Sequence, residues 1–158
     1  MQTTGTAVET ARPNPDAASL LRRWFEEVWN KGMESTIDEL FPADGVIWGV
    51  GRPEVASHGP AEFKAFYVML RTACPDIHIN LEKVVQEGDT AFARWTATMT
   101  HTGEGLGIAP THQKMKLCGM SAIRVRDGKI VEGWNNWDQV GMARELGVLQ
   151  GHAAVLFS

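Results

Sequence analysis

The dipeptide Asp127-Gly128 separates two runs of alternating character, Gln113 to Arg126 and Ile130 to Trp137, and commits this part of the chain to an antiparallel hairpin. A two-residue turn between strands needs positive φ at both central positions, which Asp and Gly reach at low steric cost. Side chains alternate along a strand, so Glu132, Trp134, Asn136 and Asp138 share one parity, and Val131, Gly133, Asn135 and Trp137 share the other. A carboxylate and a carboxamide beside two indoles make a pocket wall. Asp138 also precedes a helical pattern of Val140, Ala143 and Leu146 closed by Gly147, which makes it equally an N-cap accepting hydrogen bonds from helix N–H groups. Spacing alone leaves both roles open.

The chain has 158 residues, enough for one domain with a substantial core and no staples. The first 15 residues are rich in Thr, Ala and Pro and lack apolar periodicity, so they read as a flexible leader to a single domain over 16–158. A net charge of -4 without a dense Lys/Arg run leaves no electrostatic footprint for nucleic acid or an anionic membrane. There is no signal-peptide pattern and no apolar run of membrane-spanning length, so the cytoplasm is the expected compartment. Cys74 and Cys118 lack zinc-type spacing and read as two reduced, mostly buried thiols.

Leu20, Leu21, Trp24, Phe25, Val28 and Trp29 recur at helical spacing and predict a first helix from Ala17 to Lys31, stopped by Gly32. Ser35 is read as the cap of a second, short helix that Pro42 terminates. Val46 to Val50 reads as a short strand carrying Trp48, followed by a loop to His58. Pro60 suits the first turn of a third helix with an inner face of Phe63, Phe66, Tyr67 and Leu70. Ile77, Ile79 and Leu81 alternate, Gly88-Asp89 marks a turn, and Thr90 to Thr102 predicts a long strand. Helices first and long antiparallel strands afterwards indicate an α+β domain with the helices on one face of a curved sheet. Apolar residues on both parities, such as Ala93, Trp95, Ala97 and Met99 against Phe92, demand cover on both faces, and a second copy of the chain is the expected cover for the outer one.

The segments FEEVWNKG, IDELF, HGPAEFKAF, RWTATMTHTGEGLGIAPT and GKIVEGWNNWDQVGMARELG, in this order from about Leu20 to Leu149, resemble the SnoaL-like polyketide cyclases. The resemblance implies the cone-shaped fold of nuclear transport factor 2. Three N-terminal helices would pack on a strongly curved, mixed but mainly antiparallel sheet, with a short C-terminal helix, a deep pocket and a homodimer through the outer sheet face. It also implies a cofactor-independent acid/base enzyme that closes rings by aldol-type chemistry, or performs related isomerase, lyase or hydrolase steps, on a moderately sized apolar oxygenated substrate. The family's acid/base Asp falls on Asp138, where nearby indoles such as Trp134 and Trp137 would disfavour its charged form and make it a better base. The His that the family commonly places on the preceding strand has no counterpart in Leu117 to Ala122. Epoxide hydrolases of this fold set an Arg between two Asp residues. Arg94 matches the Arg, but Thr96 stands where the first Asp would be.

Arg94 would stabilise an enolate or hold ionised Asp138 if it faces the pocket, and would brace the sheet through a salt bridge if it does not. His101 matches a family position near the pocket rim, as proton carrier or as organiser of the adjoining turn. Asp138, Arg94 and His101 are therefore the catalytic candidates; Trp24, Trp48, His58, Met120, Trp134 and Asn136 are the candidate substrate contacts. His78, His112 and His152 share no spacing that converges on a metal, and neither a phosphate loop nor a nucleophile elbow is present, so no metal or cofactor is expected. The competing reading is a non-catalytic small-molecule-binding or accessory dimer in which Asp138 only caps its helix.

Overall fold

The computed structural model describes residues 15–52 and 54–149; of the expected leader only Pro15 falls within them, and His152 lies outside. Helix α1 (Ala17–Arg23) runs into a π-wound segment (Trp24–Asn30), followed by α2 (Ser35–Leu40), β1 (Val46–Trp48), β2 (Ala56–His58), α3 (Gly59–Ala73), β3 (His78–Glu87), β4 (Thr90–Thr100), β5 (Lys114–Arg126), β6 (Lys129–Trp137) and α4 (Gln139–Glu145). The six strands form one sheet in the order β2-β1-β6-β5-β4-β3. Among the described strands only the β1–β6 pairing is parallel. This is the expected α+β cone, with a mixed sheet curved around helices on its inner face. No described helix is long and apolar enough to cross a membrane.

The Asp127-Gly128 turn forms as its sequence requires, with φ of 51° and 71°. Asp16 caps α1 by accepting from the Ser19 amide at 2.7 Å. The predicted uniform first helix instead widens after Arg23, where Lys31 N–H reaches the Glu26 carbonyl five residues back. In the widened segment the adjacent pairs Trp24-Phe25 and Val28-Trp29 are all buried. Asn30 then uses its side-chain amide as a short extra strand: Nδ2 donates to the Ile79 carbonyl at 2.9 Å, and Oδ1 accepts from the Ile79 amide at 2.7 Å. This pins the helix end to the start of β3. Ser35 is the first residue of α2 rather than its cap, a position held by Glu34 without a side-chain bond. The segment read as a loop up to His58 contains β2, which needs only three residues to pair with β1.

Register shifts between Leu81 and Lys83 on β3 and between Arg124 and Val125 on β5 bend the sheet. Along β4 and β5 the odd-numbered residues Ala91, Ala93, Trp95, Ala97, Met99, Met115 and Leu117 are buried against the helices. The even-numbered Phe92 and Met120 stand on the opposite face and are 50% and 61% exposed. Cys74 is buried, as expected, and burial pushes its thiol up to about 11; Cys118 is exposed because it falls in the outward phase of β5.

Gly119 sits on the inner row of β5, directly opposite Trp95 on one side and Trp137 on the other. A Cβ there would lie 2.3 Å from the Trp95 ring, so the missing side chain is what lets the indole lie across the strand. Gly119→Ala is expected to destabilise the fold by about 1–3 kcal/mol through overpacking, read from chemical denaturation. An unchanged midpoint would mean the indole has room to shift.

Candidate active site in the cone

Between the helices and the inner sheet face lies a cavity of about 80 Å³, walled by aromatic and aliphatic side chains that include Trp24, Phe25, Trp29, Trp95 and Trp137. Trp24 and Phe63 rings meet at 5.1 Å and Phe25 and Trp95 at 6.2 Å, so much of the cone is filled by its own aromatics. Ligand pockets for drug-sized molecules typically occupy roughly 300–1,000 Å³, and the free space here suits only a small group or one end of a larger molecule.

The wall carries no ionisable side chain among the described residues; its polarity comes from Ser121, Asn135 and indole N–H groups. Trp95 Nε1–H donates to Ser121 Oγ at 3.0 Å, and the Ser121 hydroxyl donates to Asn135 Oδ1 at 2.7 Å. Asn135 Nδ2 donates to the Trp48 carbonyl at 3.2 Å. Trp137 Nε1–H is taken by the Val50 carbonyl at 3.1 Å. The close passage of the β1 end depends on Gly49, whose φ is 76° and whose added Cβ would fall 2.0 Å from the Asn135 carbonyl oxygen.

Asp138 stands where β6 hands over to α4. Its Oδ1 accepts from the Gly141 amide at 2.7 Å, and its backbone N–H donates to the Cys118 carbonyl at 3.0 Å. The N-cap role is thus present. Oδ2 accepts no hydrogen bond from any described residue. Gly141 is fitted to this carboxylate, since a Cβ there would meet Oδ2 at 2.1 Å.

Asp138 is not among the residues that wall the cavity, and of the sequence candidates Trp24 alone is. Arg94, Met120, Trp134 and Asn136 do not converge with it; they border an open groove of about 780 Å³ on the outer sheet face. Arg94 forms an ion pair with Glu82 at 2.8 Å, so of its two readings the structure shows the salt bridge and not the pocket-facing group. Trp48 also points outward, its Nε1 donating to Glu132 Oε1 at 3.3 Å, and Glu132 pairs in turn with Arg124 at 2.7 Å. The physical reason is parity. Asp138 has left the strand conformation, with ψ of 71°, so the row of alternate residues leading up to it is not the inner row. The inner row of β6 is Gly133, Asn135 and Trp137.

His58 is exposed just before α3, where its backbone N–H donates to Glu62 Oε2 at 2.7 Å, so it does not overlook the cavity. His101 is fully buried at the end of the inner row of β4 but is absent from the cavity wall. Its Nδ1 accepts from the Thr111 amide at 3.2 Å and lies 3.1 Å from Thr111 Oγ1, while its carbonyl accepts from the His112 amide. These are the contacts of a residue that closes the loop between β4 and β5. Because an amide N–H can only donate, Nδ1 acts as acceptor and the ring proton sits on Nε2, which has no partner among the described residues. No described group of three His, Cys, Asp or Glu residues is placed to hold a metal ion.

Ser121 and Asn135 were not singled out in the sequence. The signal for them was the inner phase of Ala93, Trp95, Ala97 and Met99, which carries across the β4–β5–β6 register to Ser121 and Asn135.

A curved sheet closed by helices around an apolar cavity is the cone-shaped nuclear transport factor 2-like fold. The chain belongs to the SnoaL-like polyketide cyclase family, whose model matches residues 19–146. It is similar to IdmH from Streptomyces antibioticus, provisionally designated a polyketide cyclase, at 29% identity and a TM-score of 0.73 over 85% of this chain and 100% of that one. AclR from Streptomyces galilaeus, provisionally designated a hydroxylase, is 27% identical with a TM-score of 0.71 over 87% of this chain and 91% of that one. A SnoaL-like protein from a Jannaschia species shares the fold at 19% identity, with a TM-score of 0.77 over 90% of this chain and 99% of that one. A comparison with curated proteins returned no match.

Replacing Asp138 by Ala should cost about 1 kcal/mol of stability through loss of the cap, whereas Asn, an equally good cap, should cost a few tenths (~0.3 kcal/mol). Equal losses for the two variants in thermal unfolding would show that the Gly141 bond is not what holds α4.

Proposed function

We propose that the protein is a cofactor-independent cyclase-type enzyme that binds an apolar, oxygenated substrate in the cone and uses Asp138 as its proton carrier. The observation that carries this reading is the asymmetric use of the carboxylate: Oδ1 is fixed by the Gly141 amide at 2.7 Å, and Oδ2 accepts from no described residue. The cap thereby orients a base at the end of β6, next in sequence to Trp137, whose indole walls the cavity. In an aldol-type closure Oδ2 takes a proton from the carbon next to a substrate carbonyl. The resulting enolate carbon attacks a second carbonyl of the same molecule, and the new alkoxide recovers the proton from the Asp138 carboxylic acid. The relatives' designations as cyclase and hydroxylase support a family-level reading of this kind and differ in the reaction.

A second reading, a binding protein without turnover, is favoured by the absence of any ionisable side chain on the described cavity wall. Asp138→Asn separates the two, since it keeps the cap and removes the proton carrier. Cyclisable polyketide-like esters, unsaturated ketones and epoxides serve as the screening set. On a substrate turned over by the wild type, Asp138→Asn should lower kcat by about 10²–10⁴-fold with melting nearly unchanged. Full activity in the variant would remove Asp138 from the chemistry.

The same proposal makes the protein a cytoplasmic homodimer joined through the outer sheet face. Val85, Phe92, Met120 and Trp134 expose a contiguous apolar surface there, and the described helices lie on the inner face. Sedimentation at micromolar concentration should give twice the monomer mass, and Phe92→Asp should return it to one. A wild-type particle of monomer mass would exclude this assembly.

A further inference from the structure

We infer that the cone selects neutral ligands bearing a carbonyl or ether oxygen, with the Asn135 side-chain amide as the hydrogen-bond donor that orients them. This deepens the proposed function and rests on its premise that the cone is the ligand site.

The hydrogen-bond network fixes the orientation of that amide. The Trp48 carbonyl can only accept, so the Asn135 atom facing it at 3.2 Å is Nδ2. Oδ1 therefore faces Ser121, and because a carbonyl oxygen can only accept, the Ser121 proton points to Asn135 over 2.7 Å. The Ser121 proton cannot then serve a ligand, and Trp95 Nε1–H is already committed to Ser121 Oγ at 3.0 Å. Trp137 Nε1–H is likewise used, on the Val50 carbonyl at 3.1 Å.

On the described wall, polar hydrogens that no described residue accepts remain on Trp24 Nε1, Trp29 Nε1 and Asn135 Nδ2, and of these the Asn135 hydrogen belongs to the hydrogen-bonded row just described. Nδ2 carries two, the Trp48 carbonyl takes one, and no described residue accepts the other. Asn135 is a wall residue, so this donor is open to the occupant of the cavity. Neutral donors on an otherwise apolar wall match the acceptor oxygen of a neutral ligand. They do not match a carboxylate or phosphate, because no cation on the described wall would offset the lost hydration of a charge. A hydrogen bond from the Asn135 N–H to a substrate carbonyl would strengthen if that oxygen gained enolate charge.

The test uses three single-ring probes of similar shape on the purified protein: acetophenone, isopropylbenzene and benzoate, with dissociation constants from ligand-observed NMR and calorimetry. Acetophenone should bind about threefold to tenfold more tightly than isopropylbenzene, the increment of one net hydrogen bond, and benzoate should bind at least about 100-fold more weakly than acetophenone. In Asn135→Leu the advantage of acetophenone over isopropylbenzene should diminish while isopropylbenzene still binds, which also reports an intact cone. Benzoate binding as tightly as acetophenone, or an undiminished ketone advantage in Asn135→Leu, would overturn the inference. The wild-type series needs no variant, so it decides the matter even if Asn135→Leu does not fold. These readouts are binding constants, so they stand or fall independently of whether Asp138→Asn retains turnover.

Discussion

The contact between the Trp95 indole and the bare backbone of Gly119 sets the interior of this protein. A side chain on β5 at that point would stand 2.3 Å from the ring. Without one, the indole lies across the strand and its N–H reaches Ser121, one inner position further along β5. Ser121 is thereby turned toward Asn135 on β6, and Asn135 toward the carbonyl at the end of β1. One glycine thus organises a hydrogen-bonded row across four strands, β4, β5, β6 and β1, in which Trp95, Ser121 and Asn135 each have a partner and one Asn135 N–H is left over.

The two faces of the sheet divide the molecule's tasks. The inner face carries the cavity and its neutral polar row, while the outer face carries the ion pairs Arg94–Glu82 and Arg124–Glu132 together with an exposed apolar patch. Asp138 belongs to neither row, because the backbone has already turned to start α4. Its capping bond and its proposed chemistry are compatible. Holding one carboxylate oxygen on a backbone amide removes side-chain freedom that a base would otherwise lose in the transition state.

Much of the fold was legible from the sequence because its signals are local. The Asp127-Gly128 turn, the apolar spacing from Leu20 to Trp29 and Pro60 at the start of α3 each specify an element through backbone chemistry. The π winding after Arg23 and the three-residue strand β2 were not legible, since both depend on what the segments pack against. The site was less accessible for a related reason. Reading back from Asp138 by alternation selects Trp134 and Asn136, and that count fails because a capping residue does not continue the strand. The inner phase was available in Trp95, Ala97 and Met99, but only the pairing register carries it to Ser121 and Asn135. That register is a long-range fact set by strand pairing.

The central claim is that ligands occupy the inner cone and leave the outer groove alone. Methionine methyl groups report on both, since Met99 and Met142 line the cone and Met120 stands on the outer face. Titrating acetophenone into protein labelled with carbon-13 at the methionine methyls, at fixed protein concentration, should shift the Met99 and Met142 resonances in a saturable manner and leave Met120 in place. A saturable shift of Met120 with Met99 and Met142 unmoved would contradict the account and move the binding site to the other side of the sheet.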